Sequence, residues 1–143
     1  MSDGELRRIF QQHIPAFHWQ SVETWSTGQG VPDCNYCGDG TEGWIEFKFT
    51  SIFKVNVGAE QVGWIERRMR AGGNVFVAVR RKHSGGPNKG VAVDELLLLT
   101  GHAARFLVTG TLRDLPVNLV QGRWSGGPKN WGWETVRSKL LKS

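Results

Sequence analysis

The stretch Gly28 to Thr50, GQGVPDCNYCGDGTEGWIEFKFT, reads as two short strands joined by a Gly-rich turn. The first runs from Val31 to Cys37 and stops at Gly38, Asp39 and Gly40, residue types that favour tight turns. The second, Trp44 to Phe49, alternates strictly. Successive strand residues point to opposite faces, so Trp44, Glu46 and Lys48 share one face and Ile45, Phe47 and Phe49 the other. The apolar face belongs to a core. On the polar face a hairpin of this length returns Asp33 close to Glu46, and two carboxylates meet a lysine.

Two neighbouring carboxylates raise each other's pKa unless positive charge lies between them. A divalent cation removes that cost. Hard oxygen ligands in an incomplete shell suit magnesium or manganese, which keep several waters and take further ligands from phosphate. Such an ion activates a water and neutralises a phosphodiester, and Lys48 is placed to orient the nucleophile or stabilise the transition state. This chemistry is that of a phosphodiesterase.

Gly30-Val31-Pro32-Asp33 followed by Glu46-Phe47-Lys48 resembles the motif of the PD-(D/E)xK nuclease superfamily. Downstream, Gln61 and Trp64 open a helix that leads to Gly72-Gly73-Asn74 and a strand from Val75 to Val79. That order looks like the VRR-NUC and phage Holliday-junction-resolvase branch, over roughly residues 20 to 80. The resemblance implies a restriction-endonuclease-like α/β fold, with a mixed sheet of about four to five strands flanked by helices. It also implies Asp33, Glu46 and the Phe47 carbonyl as metal ligands, Gln61 as a supporting polar residue, branched or junction DNA as substrate, and a homodimer.

Length agrees with one domain, 1–143, carrying an aromatic extension from about residue 111. A chain of 143 residues can bury a sizeable core. Its net charge of +5 and pI near 9.6 favour a polyanionic partner. No apolar run is long enough to span a bilayer, and the polar N-terminus lacks a signal peptide's apolar region, so a soluble cytoplasmic protein is expected, in the host cytoplasm if phage-encoded. Two cysteines are too few for a disulfide scaffold.

Other stretches offer supporting groups. Ser2 or Asp3 caps a helix through Glu5 to about His13, with Leu6, Ile9 and Phe10 on its apolar stripe. Glu5 is either a further acid, by resemblance, or an acidic residue favoured in a helix's first turn. A strand from Phe17 to Trp25 carries Glu23, the preferred third acid, alternatively a solvated edge glutamate. Ala59 to Ala71 is a helix buried through Val62, Ile65 and Met69, which presents Gln61, Trp64 and Arg68 together. Gln61 is placed to bond the attacking water or a phosphate.

Lys54, Arg68, Arg80, Arg81 and Lys82 are candidate phosphate contacts along one rim of a groove. Contacts of this kind fix position without reading sequence. Val91 to Thr100 reads as a strand buried on both faces, followed by a short helix from His102 to Val108, with His102 a capping or surface residue. Trp124, Trp131 and Trp133 either close the core or stack on unpaired bases, and Glu134 to Leu141 forms a terminal helix.

The pattern thus points to a magnesium- or manganese-dependent endonuclease acting on DNA. One alternative is a catalytically silent nucleic-acid-binding protein with the same fold. Another is a zinc or redox module on Cys34 and Cys37, against which strand geometry argues, because positions three apart face opposite sides. Two small buried thiols are the simpler expectation.

Overall fold

A computed structural model describes residues 3–22, 30–88 and 90–141. In chain order these form α1 (Asp3–His13), β1 (His18–Ser21), β2 (Cys34–Gly38), β3 (Thr41–Thr50), α2 (Ala59–Arg70), β4 (Val75–His83), β5 (Val93–Thr100), α3 (Ala103–Thr109), β6 (Val120–Trp124) and α4 (Trp133–Leu140), with two short 3-10 turns between α3 and β6. Ser2 as a cap, and Glu23 with the end of its expected strand, lie outside the described residues.

All six strands join one mixed sheet in the order β1-β2-β3-β4-β5-β6. Only β3 and β4 run parallel, since a parallel pair requires a crossover and α2 supplies it. The remaining pairs are antiparallel. The architecture is therefore the expected α/β class, with more strands than expected. β6 is the addition: five residues, VQGRW, containing a glycine and set against a bulge between Leu98 and Leu99.

Alternation sorts the core into two layers. Phe76, Ala78, Leu96 and Leu98 face α1 and α4, packing with Leu6, Phe10, Phe47, Trp131 and Leu140. Val75, Val77, Val79, Leu97 and Leu99 face α2 and α3, packing with Val62, Ile65 and Leu107. A strand covered on both sides reads as a continuous apolar run, as Leu96 to Leu99 does.

The strand before the hairpin turn is shorter at its start than the pattern predicts. Pro32 has no amide hydrogen to give to a ladder, so pairing with β3 begins only at Cys34↔Ile45 and ends at Gly38↔Thr41. The connecting residues Asp39 (φ 49°) and Gly40 (φ 77°) are both left-handed, the two-residue Asp-Gly turn whose twist suits a hairpin.

Candidate functional site

Asp33 ends the chain's approach to β2, and Glu46 and Lys48 stand on β3. Ile45 and Phe47 point into the layer beneath α1, so Glu46 and Lys48 face α2 instead. Gly30 fixes the distance between the two. Its φ of +83° is left-handed, and any Cβ there would collide with the Glu60 carbonyl at the start of α2. The G-V-P-D turn therefore lies directly against the helix that carries Gln61.

The two acids are tied to each other through the backbone. The Asp33 amide donates to Glu46 Oε1 at 3.2 Å, and the Phe47 amide donates to Asp33 Oδ2 at 2.9 Å. Lys48 Nζ lies 3.3 Å from Glu46 Oε2 and donates to Gln61 Oε1 at 3.1 Å. Gln61 Nε2 completes the ring by donating to Glu46 Oε2 at 2.7 Å. The carboxamide has one allowed orientation, because its oxygen also accepts the Gly58 amide at 3.1 Å. One residue thus caps α2 and braces both charged partners.

Burial shapes the electrostatics. Glu46 is 4 % exposed. Burial first, and then the charge of Asp33, push its carboxyl up to about 7 despite Lys48. Burial also raises Asp33, opposed by the Phe47 amide, while Asp3 raises it further and Lys48 and Arg7 lower it. Both acids therefore hold a proton more readily than ordinary carboxylates.

Phe47 adds a third oxygen. Within a strand the N–H and C=O of one residue turn to the same neighbour. The Phe47 N–H reaches Asp33, so its carbonyl faces the same side, beyond the first pair of the β2 ladder. The two carboxylates, with the Phe47 carbonyl turned to the same side, are hard oxygens of the kind magnesium and manganese take. No group of three or more His, Cys, Asp and Glu gathers among the described residues, and Glu23 lies outside them.

Asp33, Glu46, Lys48 and Gln61 are thus brought together, whereas the expected basic rim is largely dispersed. Arg80 is only 4 % exposed. It donates to Asp94 at 2.9 and 2.8 Å and to Glu5 at 3.2 Å, on the α1 face of the sheet. Glu5 accordingly holds Arg80 rather than joining the two site acids. Arg81 pairs with Glu95 at 2.6 Å. The signal for both lay in Asp94 and Glu95, which β4–β5 register sets beside Lys82 and Arg81.

Lys82 is partly exposed near the end of β4. Lys54 donates to the Leu107 and Val108 carbonyls at the end of α3, and it still lines an open cleft with Lys48. Arg68 lies over Trp64 at 4.8 Å and Trp44 at 5.6 Å. Asp3 and Arg7, not anticipated from sequence, come close enough to bias Asp33.

The remaining expectations divide. Cys34 is buried, but Cys37 is exposed, correcting the expectation of two buried thiols while agreeing with their opposite facing. His102 is exposed at the start of α3 and makes no side-chain capping bond. The tryptophans close the core: Trp131 is buried, and Trp124 and Trp133 pack against the α1 layer. Among the described residues no helix is long and apolar enough to cross a membrane. No protein-family model matches the chain, and no curated protein matches it.

Proposed function

We propose that this chain is a divalent-metal-dependent endonuclease that hydrolyses phosphodiester bonds of DNA. The observation that carries the reading is the convergence of Asp33, Glu46 and Lys48, with both acids raised by burial. Asp33, Glu46 and the Phe47 carbonyl would hold magnesium or manganese. When bound, that ion supplies a water of lowered pKa and neutralises charge on the phosphate.

The chain's own groups do the rest. Lys48 is 14 % exposed and sits at the cleft, where its ammonium donates to the attacking water or to a phosphate oxygen whose charge grows in the transition state. Gln61 holds both Lys48 and Glu46 in place, and is a positioning residue because both ends of its carboxamide are engaged. The motif's resemblance to phage resolvases favours branched DNA and a homodimer, working in the cytoplasm.

Cleavage of linear duplex, single strand and a four-way junction with magnesium tests this, using wild type beside Lys48→Ala. Wild type is expected to cut the junction, and the variant to lose about 10²- to 10³-fold in rate. Equal cutting by both proteins would remove Lys48 from the mechanism. Activity lost in chelator and restored by magnesium excludes a silent DNA-binding protein.

A further inference from the structure

The turn that follows the catalytic strand presents an isoleucine to solvent and holds it there. Ile52 is 61 % exposed. Single exposed apolar residues are ordinary, and Val91 and Val117 are more exposed still. Neither of those borders the cleft that contains Lys48, and Ile52 does.

The turn is braced on every side except that of the Ile52 side chain. Thr50, itself buried, accepts the Ile52 amide at 3.2 Å and donates to the Lys54 carbonyl at 2.9 Å. The Phe53 carbonyl accepts the Leu112 amide at 2.9 Å. Its ring is gripped by the guanidiniums of Arg81 and Arg113, each 4.4 Å from the centroid. Lys54 is fastened to the end of α3. So much anchoring fixes the direction in which the isoleucine points.

Ser51 and Ile52 also form a ridge between two open clefts. One, of about 420 Å³, holds Lys48, Lys54 and Asn56. The other, of about 530 Å³, holds Phe53, Arg81 and His83. Lys48 and Lys54, together with Asp3, flank the apolar projection on one side, and Arg81, paired with Glu95, flanks it on the other. Apolar side chains that enter a base step unstack it and kink the duplex, and unstacking costs least where pairing is already interrupted.

We infer that Ile52 is a wedge that enters the base step beside the scissile phosphodiester and confers preference for branched DNA. This rests on the nuclease reading above. A four-way junction carrying 2-aminopurine beside its branch point reports unstacking as a rise in fluorescence.

Lys48→Ala protein bound to that junction, in chelator, should give the rise; Lys48→Ala with Ile52→Ala should not; and Ile52→Leu in place of Ile52→Ala should restore it. In otherwise wild-type protein, Ile52→Ala should lower the ratio of junction to linear-duplex cleavage by about tenfold. An unchanged fluorescence rise with Ile52→Ala overturns the wedge. So does a loss of dimer mass in light scattering with the signal per bound junction retained, which assigns Ile52 to a contact between copies. If wild type cuts no DNA with magnesium, the nuclease reading fails while the fluorescence still decides the wedge, and absence of junction binding removes both.

Discussion

Two buried charge clusters sit on neighbouring strands and are built in opposite ways. Around Arg80 the cation is the buried member, and its partners Asp94 and Glu5 keep side-chain exposures of 19 % and 35 %. Around Glu46 the acid is the buried member, and its cation Lys48 approaches one oxygen at 3.3 Å. The guanidinium's several donors answer both carboxylates directly, and its pKa is raised, most by the bond to Asp94. At the other cluster both acids are raised. A fork that satisfies its partners holds a fold together; at the other cluster burial, more than any missing cation, keeps the two acids raised.

Removing each centre should therefore damage different properties. Arg80→Ala strands two acids and the contact with Trp131, which the guanidinium overlies at 5.5 Å. The expected loss is about 1–3 kcal/mol of stability, measured by the denaturation midpoint. A small loss would mean that the cluster near Arg80 is solvated surface and that the contrast is false.

The site should show the reverse behaviour with pH. Glu46 titrates near 4.5 unfolded and is pushed up to about 7 when folded. The folded state then holds more protons between those values, so stability of the metal-free protein is full below pH 4.5 and falls as pH rises through 7. The size is on the order of 3 kcal/mol. Glu46→Gln should flatten this slope, and magnesium should restore more stability at pH 8 than at pH 6. Urea titrations across that range check both.

Gln61→Ala sharpens the comparison further, since the residue braces the site from an exposed helix start. Rate should fall about tenfold to a hundredfold as Lys48 and Glu46 loosen. Loss of its bond to the Gly58 amide should cost only about 0.5–1 kcal/mol of stability.

How legible these centres were in the sequence follows from the range of the interactions that build them. Glu46 and Lys48 could be placed because alternation on β3 is local, and Asp33 because a hairpin closes over few residues. Gln61's place followed from helical spacing, and its supporting role from the resemblance in motif order. Arg80 and Arg81 read as one basic run, since their acids lie across a second hairpin whose register no local pattern displays. β6 was hidden because VQGRW is short, contains a glycine and meets a bulge. The anchors of the Ile52 turn come from α3 and Leu112, distant in the chain, and no local pattern announces them.

The account stands most directly on whether Asp33 and Glu46 bring a metal to a phosphodiester. Cleavage of a four-way junction with magnesium, by wild type and by Asp33→Asn of equal stability, measures that. The account predicts cutting by wild type and a loss of about 10³-fold or more in the variant. Equal cutting by both, or none by wild type at any magnesium concentration, would contradict it.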